Sequence, residues 1–256
     1  MQNRAEIRDS FNLVMWASGA TLALWFIPFA EVIAYPIRLF VTFVHEAGHA
    51  LAALATLGGV HQIELYLNGS GVTETMGGSR FLISSAGYLG TTVVGAVLLL
   101  MLRAARAARG AALGFAIVML SITLLWGGNL LMWATGLFFG VGFLLLALKG
   151  RLRVVHFLMS FLAVQLLLNA FYDLRTLMYL SAFSSHMTDA QNMAAATGGW
   201  IPAIFWAVFW AALSGVILAA TLLAYYKSLN RRPTLLDTPL PALLTDPSDN
   251  LSDRRA

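Results

Sequence analysis

Apolar positions in this chain run in long blocks instead of alternating singly. Seven blocks can be read, at about 12–34, 37–58, 80–102, 111–127, 129–148, 154–181 and 200–226. No Asp, Glu, Lys or Arg occurs in 10–30, 81–102, 110–148 or 190–226. A membrane-spanning helix needs about 20 predominantly apolar residues. The pattern therefore predicts an all-α polytopic membrane protein with about seven transmembrane helices. The fourth block is short and can pair with the fifth as a hairpin around Gly127-Gly128-Asn129. One stretch breaks the pattern. His61-Gln62-Ile63-Glu64-Leu65-Tyr66-Leu67 alternates at period two, Asn68-Gly69-Ser70-Gly71 is turn chemistry, and Val72-Thr73-Glu74-Thr75 is again β-prone. A small β-hairpin lying on, or dipping into, the membrane is expected there. Beyond Lys227 the chain turns polar and holds four of its 7 prolines. The expected organisation is an integral-membrane domain over 1–226 and a disordered, Pro-rich tail over 227–256.

Composition sharpens this picture. Apolar residues make up 59% of the 256 and charged residues 11%, against roughly 45–50% and 25% in soluble domains. The formal charge is +4, and the bases lie between apolar blocks, where topology explains them and nucleic-acid binding is not implied. There are 0 cysteines, which excludes disulfides, thiolate zinc sites and a Cys nucleophile. The apolar run that begins at Phe11 is too long for the core of a cleavable signal peptide. Arg103, Arg106 and Arg109, then Lys149, Arg151 and Arg153, then Lys227, Arg231 and Arg232 all fall on one side if the count is seven. The excess of bases makes that side, and the C-terminus, cytoplasmic.

The second block carries His45-Glu46-Ala47-Gly48-His49. Four residues along a helix is about 400°, so the two imidazoles share a face one turn apart. They can take adjacent corners of a zinc tetrahedron. Glu46, rotated by about 100°, can reach a water at the metal without ligating it. Three ionisable groups within five positions of an apolar helix are costly unless paired or functional. A pair of buried structural histidines is the plainer explanation, and the density of charge argues against it.

His45-Glu46-Ala47-Gly48-His49-Ala50 resembles the H-E-x-G-H-A motif of the site-2 protease family of intramembrane zinc metallopeptidases, in a divergent bacterial branch. In that family a membrane-associated β-hairpin and a small-residue helix follow. Here 61–75 is followed by Ser84-Ser85-Ala86-Gly87-Tyr88-Leu89-Gly90, with Tyr88 where the family has Pro. The resemblance implies one catalytic Zn2+, with His45 and His49 as ligands and Glu46 as the general base. It also implies a third, Asp ligand from a later helix. The family's N-x-x-P-x-x-P-L-D-G is absent, which leaves Asp173, in Asn169-Ala170-Phe171-Tyr172-Asp173, and Asp189, in Met187-Thr188-Asp189. At 1.5 Å per residue the histidines lie about 12–18 Å along block two and Asp173 about 24–28 Å along block six. Asp189 lies outside the membrane unless 181–199 re-enters, and has a plainer role as a helix N-cap. Asp173 is therefore the expected ligand and Asp189 the alternate. Glu31 is read as interfacial, and so is His156.

The implied activity is intramembrane zinc metalloendopeptidase: regulated cleavage of a transmembrane segment of another membrane protein, in a bacterial cytoplasmic membrane. Asn169 and the edge strand around Ile63 and Leu65 would hold the unwound substrate. The implied partners are that substrate helix and the lipid bilayer. The site is expected between the midplane and the cytoplasmic side. Two alternatives differ in class. One is a non-proteolytic descendant that binds zinc or partner helices, which leaves the intact Glu46 unexplained. The other is a transporter, which the absence of paired halves disfavours.

Overall fold

The computed structural model describes residues 12–13, 15–16, 18–19, 30–183 and 188–230; the side chains of 30, 31, 33, 169–183, 229 and 230 are not described. The first apolar block and the polar tail beyond 230 fall largely or wholly outside the described residues. In chain order the elements are α1 (Ala30–Ala55), β1 (Gly59–Leu65), β2 (Gly71–Met76), α2 (Arg80–Met101), α3 (Ala107–Trp126), α4 (Leu130–Lys149), α5 (Leu152–Phe183), α6 (Asp189–Ala196) and α7 (Ala203–Asn230). The molecule is a helical bundle with one two-stranded antiparallel sheet.

Five described helices are long and apolar enough to cross a bilayer: 34–55 within α1, then α2, α3, α4, and 203–228 within α7. They mark an integral membrane protein. Five spans among the described residues is fewer than the seven expected. The expected first block is mostly outside the described residues, and in α5 only Leu152–Leu168 forms a described apolar stretch. The remainder of that 32-residue helix lies beyond the residues whose side chains are described.

The hairpin is where the expected β pattern lies, and its placement is the main architectural fact. Leu57, at φ 61°, ends α1, and the chain reverses through Gly58, whose N–H donates to Ala53 O at 2.8 Å. β1 then runs back along α1. At the tip Gly69 adopts φ 81°, and its carbonyl accepts from Thr42 Oγ1 at 2.8 Å. At the base Ser79 N donates to Thr56 Oγ1 at 3.0 Å. From residue 56 back to residue 42 is about 21 Å of helix, so the hairpin dips deep along the side of α1.

Pairing Ile63 with Thr73 and Leu65 with Gly71 sets the register. The inner face buries Ile63 and Leu65 completely. Tyr66 N donates to Ser70 O at 2.9 Å. Alternation outward from that pair turns the backbone groups of Ile63, Leu65, Gly71 and Thr73 away from the partner strand. On the β1 side those groups are occupied. Gly128 N donates to Ile63 O at 2.8 Å, and the Asn129 amide donates to Leu65 O at 2.7 Å. The edge expected to receive substrate at Ile63 and Leu65 is thus closed by the turn between α3 and α4. The open edge is that of β2: among the described residues no other strand pairs with it.

Helix contacts are close where side chains are small. A Cβ on Gly48 of α1 would stand 2.5 Å from Ala86 O of α2, and one on Gly95 3.0 Å from Ala163 O of α5. Small residues at such crossings let backbones approach in a membrane bundle. Phe40 of α1 packs against Phe115 of α3 and Phe139 and Phe143 of α4 at centroid distances of 5.3–5.7 Å. His156, expected at the interface, is instead buried, with Nε2 2.8 Å from Leu102 O.

Connectivity puts the hairpin, the 127–129 turn and α6 at one end of the bundle and the Arg103–Arg109 and Lys149–Arg153 connections at the other. Topology reporters inserted after Arg109 and after Arg153 should give the same signal, and one inserted at Gly128 the opposite signal. Matching signals at Gly128 and Arg109 would contradict the α3–α4 hairpin.

Candidate metal centre

The site begins with one turn of α1. His45, Glu46 and His49 each bring a ligand atom within 4.8 Å of the others, as the four-residue spacing requires. Glu46 and His49 are buried, and His45 is nearly so. His49 Nδ1 lies 2.7 Å from the Ile83 carbonyl of α2. A carbonyl only accepts, so Nδ1 donates to it and Nε2 is the nitrogen that faces the site, where it can hold a proton toward Asp189 or, on losing it, a metal ion.

The third group is Asp189. Its Oδ2 lies 3.0 Å from His45 Nε2 and 3.2 Å from His49 Nε2. Two ligands about 2.1 Å from a zinc ion at a tetrahedral angle stand about 3.4 Å apart. Two imidazole nitrogens and a carboxylate oxygen therefore converge with the spacing and donor chemistry of a catalytic zinc set, which keeps a fourth position open. The sequence placed Asp173 ahead of Asp189; the side chain of Asp173 lies outside the described residues, as do those of Asn169 and Glu31. Asp189 is not the N-cap it resembled. Thr188 caps α6 through a capping box with Gln191, and Asp189 is the first helical residue.

What carries Asp189 inward is a second, smaller core. Ala190 and Met193 of α6 are buried against Trp206, Ala207 and Trp210 of α7. Trp210 stacks on Tyr88 at 5.4 Å, and Tyr88 meets the His45 ring edge-on at 4.8 Å. The residue that replaces the family's Pro thus joins α6 and α7 to the metal-side imidazole. Nothing in the sequence signalled this role except the density of Trp at 206 and 210.

Burial alone would raise the Asp189 carboxyl. The charge of His49 and hydrogen bonds from His45 and His49 outweigh burial and hold it well below the usual carboxylate range. On the outer face of the hairpin the Tyr66 phenol is pushed up, chiefly because its hydroxyl donates to Glu64 Oε2 at 2.6 Å.

Gly87 faces the centre directly. A Cβ built there falls on His45 Nε2 and lies 2.6 Å from His49 Nε2. Gly87 stands in a run of small residues with Ala86 and Gly90, and the space it leaves is the space between the two imidazoles. His49 is six residues, about 9 Å, from the hairpin end of α1. The centre lies toward that end, away from the arginine clusters.

Fold and site together define an integral membrane protein with a buried His-His-carboxylate centre on an H-E-x-x-H helix. A family model described as Peptidase M50B-like matches residues 16–221, and the chain belongs to this family, the site-2 protease family. No curated protein and no solved structure matches it.

Gly87→Ala should cut zinc retention by at least about 10-fold, because the new methyl must displace a ligand nitrogen. Gly90→Ala, whose nearest neighbour would be Gly48 Cα at 3.8 Å, should retain it. Metal content of the two purified variants tests this, and equal content would refute it.

Proposed function

We propose that the protein is an intramembrane zinc metalloendopeptidase that cleaves a transmembrane segment of another membrane protein. One observation carries the reading: Asp189 Oδ2 sits 3.0 and 3.2 Å from the two imidazole nitrogens of a buried His-Glu-x-x-His turn. His45, His49 and Asp189 would hold the ion. Zinc in such a set supplies Lewis acidity, polarising a carbonyl and bringing the pKa of water down to about 7.

The chain's own groups supply the rest. Glu46 stands within 4.8 Å of both histidines without contributing to the Asp189 pair. There it can accept the proton of the attacking water and return it to the departing amine. A helical substrate hides its carbonyls in its own hydrogen bonds, so it must unwind before it can be cut. The outward backbone groups of Gly71 and Thr73 on β2 offer an extended segment a strand to pair with, a few ångströms from Glu46. This replaces Ile63 and Leu65, whose edge is closed. Asn169 remains a candidate for orienting the substrate. The basic clusters favour a cytoplasmic location for the C-terminus in a bacterial inner membrane. Under that orientation the centre lies in the half of the membrane away from the cytoplasm.

A non-proteolytic zinc protein has no use for Glu46, whereas a protease depends on it. Glu46→Gln should keep zinc and lose cleavage of a co-expressed single-span substrate by several orders of magnitude. Near-wild-type cleavage by that variant would defeat the mechanism.

The third ligand has its own test. Asp189→Asn should lose zinc under mild chelation, since two imidazoles and water hold the ion far more weakly. Asp173→Asn should keep it. The opposite pattern in metal analysis would return the assignment to Asp173.

A further inference from the structure

We propose that Thr73 is a positioning residue that aims the Glu46 carboxylate, so that the hairpin as well as α1 sets the geometry of the general base. The inference rests on the protease reading above and adds a residue to it.

A glutamate side chain turns about three bonds. Its position on α1 fixes where the side chain starts and leaves the direction of the carboxylate open. In this structure that direction is set from a segment 27 positions away. Thr73 Oγ1 lies 2.7 Å from Glu46 Oε2 and 3.0 Å from the Glu46 carbonyl oxygen. The hydroxyl has a single proton. The bond to an ionised carboxylate is the stronger of the two, so Oε2 is the favoured acceptor. Oε2 is then occupied, and Oε1 is left to take a proton from water.

The neighbouring residue narrows the choice further. A Cβ on Gly71 would stand 2.7 Å from Glu46 Cγ and Oε1. The strand backbone therefore lies directly against the side chain and bars it from swinging toward β2.

Thr73 is itself held firmly. It stands opposite Ile63 in the register of the sheet, between the hydrogen-bonded positions Val72 and Glu74. Ile63 is fully buried and accepts a hydrogen bond from Gly128. Asn129 clamps Leu65 two residues on, donating to its carbonyl at 2.7 Å and capping α4 at Met132 N at 2.9 Å. The path runs from the α3–α4 turn through β1 and β2 to the carboxylate, each step made by a backbone pairing or a named hydrogen bond. Thr73 is half-buried. A threonine present only for its strand preference would not need its hydroxyl aimed at a buried acid.

The test uses full-length zinc-loaded protein in lipid vesicles with a fluorophore–quencher peptide of about 20 apolar residues as the substrate. Thr73→Val keeps the side-chain shape and removes the hydroxyl. It should lower kcat by about 10-fold to 100-fold, as loss of a supporting hydrogen bond does. KM should stay within about 2-fold and zinc content should be unchanged. Thr73→Ser should restore kcat to within about 3-fold of wild type. A second measurement needs no turnover: the infrared difference between wild type and Glu46→Gln isolates the Glu46 carboxylate band. That band should shift in Thr73→Val and in Thr73→Ala, and return in Thr73→Ser. Unchanged kcat and an unmoved band in Thr73→Val would overturn the inference while leaving an inactive, zinc-bound Glu46→Gln to uphold the protease reading. Equal losses in the Ser and Val variants would also overturn it, since packing and not the hydroxyl would then matter. Loss of zinc in Thr73→Val would do the same. Full turnover by Glu46→Gln would sink the protease reading and this inference together.

Discussion

A half-buried carboxylate facing two imidazoles is the constraint on which the arrangement depends. An Asp at the centre of an apolar helix costs roughly 3 kcal/mol if left to the lipid, and one buried without partners costs more. Three ionisable groups already occupy one turn of α1, and Asp189 adds a fourth. The set is tolerable because Asp189 Oδ2 meets both Nε2 atoms within 3.2 Å, Ile83 O takes the outer nitrogen of His49, and Thr73 takes Glu46. Every polar group in the centre has a counterpart supplied by a different element. A divalent cation among the three ligand atoms would complete that balance.

Each supporting element is shaped by its part in this. α2 presents no side chain at Gly87, where the Nε2 atoms of His45 and His49 occupy the position a Cβ would take. The hairpin folds back along α1 instead of lying flat, and so reaches Glu46. α6 is only 8 residues long, too short to be stable alone. It is held by its capping box, which contributes about 1 kcal/mol, and by Ala190 and Met193 on the two tryptophans of α7. The main apolar core, from Phe40 through α3, α4 and α5, is separate from this smaller cluster. The centre lies where the two meet, with Tyr88 touching both His45 and Trp210.

The two edges of the sheet illustrate a division of labour. One edge is spent on the α3–α4 turn, which fixes the hairpin in place. That leaves the β2 edge open beside Glu46 with its backbone groups facing outward. A hairpin free on both sides would be poorly fixed, because an isolated two-stranded unit is only marginally stable. Anchoring β1 makes β2 rigid enough to position a side chain.

Local chemistry is what the sequence determined. Helical period placed His45 and His49 on one face with Glu46 beside them, and strand period with Asn68-Gly69 placed a hairpin after the helix. Apolar length marked the spanning segments, and their order with the motif pointed to the family. Each of these follows from residues within a few turns of one another. Tertiary structure alone decided the rest, because it depends on contacts between distant segments. Depth counted along straight helices favoured Asp173, whereas Asp189, 144 positions from His45, is brought in by a short helix docked on Trp206 and Trp210. Alternation along 61–67 could mark an edge strand but not which edge would be covered, since that was settled by Gly128 and Asn129 some 64 positions away. Gly87 stands in the sequence only as one of a run of small residues, because a glycine carries no sign of what fills the space beside it. Only the folded chain shows that two imidazole nitrogens do.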